Sequence, residues 1–285
     1  MRRHELTGSE WELLAPLIPS AGRGRPRAED RRVVNGMVYK IRTGVSWRDL
    51  PERYGPWKSV YTRFRRYAID GVFTQALQQI QAQADAAGDI DWLVQIDSTI
   101  VRAHQHSAAT GRKGGSIGDE PDDHALGRSR GGLTTKIHLA CDGRGRPLAI
   151  LLTPGQRHDG VCAQPLLERI RVPRTGQGRP RCRPNHMIAD KAYSSRGFRV
   201  YLRRRGIGHT IPEKNDQKQH RRNRGRRGGR PAGFDLEIYR RRNTVERCFN
   251  QLKGFRGIAT RYEKTATSYE AAVTLASLLL WARSV

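Results

Sequence analysis

The chain has 285 residues, 36% of them hydrophobic, and carries 53 Lys and Arg against 27 Asp and Glu, a formal net charge of +26. Such a surplus repels itself in a folded chain, so a polyanionic partner is expected, nucleic acid before an anionic membrane. No apolar run follows Met1, and Cys141, Cys162, Cys182 and Cys248 lie far apart with no Cys-x-x-Cys pair, so no signal peptide, disulfide scaffold or zinc ribbon is expected and a reduced cytosol fits best.

Residues 1–88 read as a small all-helical domain. "TGSEWELLAPLI" is a helix with Ser9 as its N-cap, and "AEDRRVVNGMVYKIRTG" runs as a second helix to a stop at Gly44. Ser46 can cap a short helix through Leu50. Pro51 to Gly55 then forms a turn, and Pro56 opens a basic helix ending near Gly71. Short helix, tight turn and basic helix make a helix-turn-helix. Val60, Phe64 and Tyr67 face a core, which leaves Lys58, Arg63 and Arg66 for DNA. An ordinary three-helix bundle with solvated charges is the other reading.

Residues 89–285 change pattern. "WLVQID" is an apolar strand ending at Asp97, and "LTTKIHLACD" and "PLAILLTPG" flank "GRGR" as a hairpin. "VCAQPLLERI" is helical, with Asp159 placed to cap it. "HMIAD" is a buried strand ending at Asp190. "SRGFRVYLRRRG" is a helix stopped by Gly206, and "IGHTIP" is another strand. The order predicts an α/β fold, a mixed sheet flanked by helices. Residues 103–132 form a polar, Gly-rich loop, whose His104, His106 and His124 lack paired cysteines and give no zinc expectation. Residues 214–233 lack apolar periodicity and read as a flexible basic loop that can order along a phosphate backbone. The most apolar stretch, Ala271 to Ala282, is too short to span a bilayer and reads as a buried helix.

Asp97 and Asp190 share one feature: each closes an apolar strand. Polar residues at strand ends line the functional crevice of an α/β sheet. If the strands are neighbours, the carboxylates are close. Either one takes a proton or a cation sits between them, and oxygen-only ligation suits Mg²⁺ or Mn²⁺. Helix capping or surface ion pairing is the competing explanation.

The segment "YRRRNTVERCFNQLK" holds one acid among its arginines. Read as one helix, it puts Tyr239, Arg242, Glu246 and Lys253 in a sector of roughly 60°. That row borders the apolar stripe of Ile238, Val245, Phe249 and Leu252, while Arg240 and Arg247 point elsewhere. A carboxylate at a core edge beside phosphate-binding cations suits a metal site. An i, i+4 pair of Glu246 with Arg242 is the bland alternative.

With these residues the chain resembles the bacterial insertion-sequence transposases of the family-five type, within the DDE class. The segment fits the Tyr-x2-Arg-x3-Glu-x6-Lys signature at Tyr239, Arg242, Glu246 and Lys253. "QID" at Asp97, "IADKAY" at Asp190, "TPGQRHDG" and the N-terminal "LTGSEWELLAPLIP" and "GVSWRDLPERYGPW" extend the resemblance over nearly the whole chain. It implies an RNase H-like catalytic domain in which Asp97, Asp190 and Glu246 bind two divalent ions, Mg²⁺ or Mn²⁺, with Tyr239, Arg242 and Lys253 beside DNA. It implies cleavage of double-stranded DNA at transposon ends and joining to target DNA. It also implies a homodimer or larger assembly, and a cytoplasmic, nucleoid-associated location. A catalytically inactive DNA-binding regulator or architectural protein derived from a transposase would share the charge but not need the acids.

Overall fold

The computed structural model describes residues 3–19, 28–108, 120–129 and 131–284. Four helices come first: α1 (Gly8–Leu14), α2 (Asp30–Thr43), α3 (Trp57–Ile69) and α4 (Val72–Ala86). Thr7, not Ser9, caps α1: Glu10 N–H donates to Thr7 Oγ1 at 3.0 Å and Thr7 N–H returns a bond to Glu10 Oε2 at 2.9 Å, a capping box. Gly44, at φ 74°, ends α2 where expected.

The short helix expected from Ser46 to Leu50 forms only as a 3-10 turn, so a helix-turn-helix is not confirmed. Ser46 does cap, accepting from Arg48 N–H, but the segment is a single 3-10 turn, Trp47–Asp49, followed by another, Glu52–Tyr54. Pro51 is the reason: the residue before a proline is pushed to extended backbone, and Leu50 sits at φ −65°, ψ 128°. Arg63 also departs from its expected role. It is 8% exposed, and its Nη1 donates to Asp30 Oδ1 at 2.8 Å and to the Ala28 carbonyl at 3.2 Å. It ties α3 to the start of α2 and is spent inside the fold. Lys58 and Arg66 on the same helix are exposed.

The sheet region follows: β1 (Leu93–Ala103), the helical turn α5 (Gln105–Ala108), β2 (Gly127–Ser129), β3 (Gly132–Cys141), β4 (Pro147–Pro154), α6 (Asp159–Glu168), β5 (His186–Ile188), α7 (Arg196–Arg204) and β6 (Gly208–Thr210). The chain then runs through α8 (Asn215–Asn223), α9 (Leu236–Arg240), α10 (Asn243–Lys253), α11 (Arg256–Ala259), β7 (Thr260–Arg261) and α12 (Ala266–Ala282). The strands form one mixed sheet. The hairpin β3–β4 is antiparallel, β3 pairs antiparallel with β1, and β1, β5 and β6 run parallel. One edge of β1 meets β5 only over Leu93 to Gln95 and β7 only over Arg102 and Ala103. The stretch between them holds Asp97.

One hydrophobic core joins the helices to the sheet. Its centre is α12, the apolar stretch of the sequence, which packs against α2, α3, α4 and β4. Leu279 and Trp281 are fully buried there, and Trp281 Nε1 donates to the Pro147 carbonyl at 2.7 Å. No helix among the described residues is long and apolar enough to cross a membrane.

The segment 214–233, expected as a structureless loop, contains α8. Gln217 explains its anchoring. Its Oε1 accepts from Lys214 N–H at the helix start and from Ser194 Oγ at 2.7 Å, and its Nε2 donates to the Ser194 carbonyl at 2.7 Å. Gln217 thereby docks α8, which carries exposed basic residues, on Ser194, four positions after Asp190.

Candidate active site at the open edge of β1

Side chains alternate faces along a strand. On β1 this aims Gln95, Asp97 and Thr99 together at α10. Gln95 Oε1 accepts from Val245 N–H at 3.1 Å, Asp97 Oδ2 lies 3.4 Å from Arg242 Nη1, and Thr99 Oγ1 accepts from Lys253 Nζ at 2.6 Å. A strand of period two thus meets a helix along three successive same-face residues. Val245, Phe249 and Leu252 form the buried stripe of α10 that borders this row.

Asp97 does not end its strand, as expected, but lies in mid-strand. What ends is its parallel partner. Gln95 pairs with Ile188, the last residue of β5, so Asp97 and Asp190 each stand two residues beyond that pair. The two acids are near enough that the charge of Asp190 raises the Asp97 carboxyl. Asp190 also caps the 3-10 turn Lys191–Tyr193, its Oδ1 accepting from Ala192 N–H at 2.7 Å.

The helix carrying Glu246 is not continuous from Tyr239. It breaks into α9 and α10 around Arg241 and Arg242. The break is a tightening: Arg242 N–H bonds the Tyr239 carbonyl and Val245 N–H the Arg242 carbonyl, both three residues back. Three-residue turns keep Tyr239 and Arg242 on one face, with the guanidinium 5.9 Å from the Tyr239 ring centre. Arg242 then reaches both acids, with Nη2 2.5 Å from Glu246 Oε1 and Nη1 3.4 Å from Asp97 Oδ2. Arg240 pairs with Glu237 and Arg247 bonds Thr244 Oγ1, away from this row as expected.

The electrostatics follow the crowding. Burial first, then the charges of Asp190 and Glu246, push the Asp97 carboxyl up to about 6, against bonding from Ser98 N–H and the charge of Arg242. Burial lowers the Arg242 guanidinium, but Glu246, Tyr239 and Asp97 outweigh it and raise the net value. Burial, and then Asp97 and Asp159, hold the Tyr193 hydroxyl well above its usual range. Among the described residues no three His, Cys, Asp or Glu are grouped closely enough to hold a metal ion as they stand. Arg242 instead bridges Asp97 and Glu246.

Sequence reasoning missed Ser98, Thr99, Gln95 and Lys136. Lys136 lies in buried β3, where a lone ammonium inside an apolar strand was a usable signal. It read Asp159 as a helix cap. His158 holds that place, its Nδ1 accepting from Gly160 N–H, while Asp159 Oδ1 accepts from Lys136 Nζ and Ser98 Oγ, each at 2.8 Å. Burial would raise the Asp159 carboxyl, but these two bonds outweigh it and keep it low.

Two family models match the chain. Residues 6–77 match "putative transposase of IS4/5 family" and residues 90–281 match "transposase DDE domain". A "putative transposase for insertion sequence element IS6501" from Brucella ovis is 33% identical over 53% of this chain and all of its own length. A "putative transposase for insertion sequence element IS402" from Burkholderia cepacia is 31% identical over 57% of this chain and 67% of its own. An uncharacterized protein, y4sN, from Sinorhizobium fredii is 39% identical over 39% of this chain and 88% of its own. No solved structure matches. The second family match spans the whole sheet region, including Asp97, Asp190 and Glu246, and with it the chain belongs to the DDE transposases of bacterial insertion sequences.

Proposed function

We propose that the protein cuts phosphodiester bonds at the ends of its insertion sequence and joins them to target DNA, using Asp97, Asp190 and Glu246 with two Mg²⁺ or Mn²⁺ ions. The observation that carries this reading is the bridge of Arg242 across Asp97 and Glu246, with Asp190 near enough for its charge to raise the Asp97 carboxyl. Three carboxylates brought near one another in a partly buried edge need cationic charge, and their hard oxygens suit these ions. The lifted Asp97 carboxyl supports the same need. Bound ions would activate the attacking water or 3′-hydroxyl and steady the leaving oxygen.

The protein's own residues supply the rest. Arg242 must release at least one acid for an ion to enter between them, and the freed guanidinium is placed to take a DNA phosphate. Lys253, held on Thr99 Oγ1 at the same face, and Tyr239, beside Arg242, extend the row along the DNA backbone. The exposed cations of α8 continue it past Asp190. Residues 89–285 are then an RNase H-like catalytic domain. Residues 1–88 form a DNA-binding domain in which Lys58 and Arg66 face phosphate. Cutting and joining two ends requires a homodimer or larger assembly on DNA, at the nucleoid in the cytoplasm.

The test uses the purified chain and linear DNA carrying the element's terminal repeats. Expected are cleavage at the ends with Mg²⁺, none with EDTA, and joined products when target DNA is added. Tight binding without cutting in Mg²⁺ or Mn²⁺ would favour the inactive regulator instead.

A further inference from the structure

Asp159 has more partners than a helix-opening acid needs. At the first position of α6 the helix dipole already favours a carboxylate in water. Here Oδ1 instead accepts from side chains on two strands, Lys136 Nζ of β3 and Ser98 Oγ of β1, each at 2.8 Å. Lys136 is 8% exposed and also donates to the Arg157 carbonyl at 2.6 Å. Burying an ammonium is costly, and an apolar side chain would fill the space more cheaply. The pair therefore calls for a role beyond packing.

The bonds lead to Asp97. Ser98 N–H donates to Asp97 Oδ1 at 2.8 Å. Ser98 faces α6 while Asp97 faces α10, so the chain of contacts runs from one side of the sheet to the other. It crosses β1 where that edge has lost β5 and has not yet gained β7. Here β3 holds only the other edge of β1, and the bond from Ser98 Oγ to Asp159 adds a second anchor beside the open edge.

We propose that Asp159, held by Lys136, is a positioning residue that fixes the Asp97 carboxylate through Ser98. This rests on the reading of Asp97 as a catalytic acid. The test compares Asp159→Asn, Ser98→Ala and the double variant, as full-length protein with saturating terminal-repeat DNA and Mg²⁺. Each single change slows cleavage about 10–100-fold, as loss of supporting bonds around a metal ligand does. DNA affinity stays near wild type. The double variant is no slower than the slower single one, because both changes break the same chain of contacts. Mn²⁺ titration of the DNA-free protein, read by electron paramagnetic resonance, shows weaker binding in each variant. Ser98→Ala leaves the Lys136–Asp159 pair intact, so it decides the matter if Asp159→Asn does not fold. Wild-type rates, unchanged Mn²⁺ affinity or losses that multiply in the double variant would overturn the role. Asp97→Asn runs alongside. If it still cuts DNA, the catalytic reading fails; if it is dead while Ser98→Ala and Asp159→Asn cut normally, only the positioning role fails.

Discussion

Arg63 in the helical region and Arg242 beside the sheet each meet carboxylates, with opposite consequences. Arg63 is buried, and one acid, Asp30, answers it across α2 and α3. Arg242 is half-buried and faces two acids, with a third beside them. In the first region a carboxylate satisfies an arginine and the fold gains. In the second an arginine answers too many carboxylates and the fold bears the excess. A basic residue in a DNA-binding protein is therefore classified by its partners, not by its helix.

Substitutions sharpen that contrast. Arg242→Ala should slow Mg²⁺-dependent cleavage about 10²–10³-fold, the scale for losing a charge-stabilising donor in a reacting site. Thermal melts should move little, because Glu246 is 47% exposed and its pairing is worth at most about 1 kcal/mol. A large loss of stability with normal cleavage would make Arg242 another Arg63.

pH separates the regions next. Burial, then the neighbouring acids, push the Asp97 carboxyl up to about 6 from 3.8, so the folded, metal-free protein holds a proton that the unfolded chain releases between those values. Stability should thus fall as pH rises from about 4 through 6, by on the order of 3 kcal/mol. Denaturant melts of Asp97→Asn should lack that fall, and saturating Mg²⁺ should reduce it. A wild-type profile that rises across this range would contradict the burial and crowding that lift Asp97.

Arg63→Ala should cost about 1–3 kcal/mol, below the usual range for a broken buried pair because Asp30 is 31% exposed. DNA affinity per folded molecule should not change. Weaker binding at full stability would restore Arg63 to the DNA face. The smallest effects belong to Lys58→Ala and Arg66→Ala. Each should lower the slope of log affinity against log salt by about 1 with no change in melting. Unchanged slopes would remove α3 from the DNA interface.

The sequence made much of this legible. Apolar periodicity found the strands, and the row Tyr239, Arg242, Glu246 and Lys253 survived even though its helix breaks, because the break keeps a three-residue period. That Leu50 turns extended ahead of Pro51 was legible in the pre-proline rule but missed, and the sequence could not show that Asp30 would capture Arg63 from the preceding helix. The first rests on a single backbone constraint, the second on a contact distant in the chain. Asp97 looked like the end of a strand because the apolar run stops there. In fact β1 goes on to Ala103, paired with β3, and only the neighbour β5 ends. The basic run of 214–233 gave no periodicity, yet one glutamine docks it.

The most direct measurement is the cleavage of terminal-repeat DNA by Asp97→Asn, Asp190→Asn and Glu246→Gln, with binding measured on the same samples. All three should bind DNA as the wild type does and cut no faster in Mg²⁺ than the wild type does in EDTA. Near-wild-type cutting by any one of them would show that these acids do not act as a set.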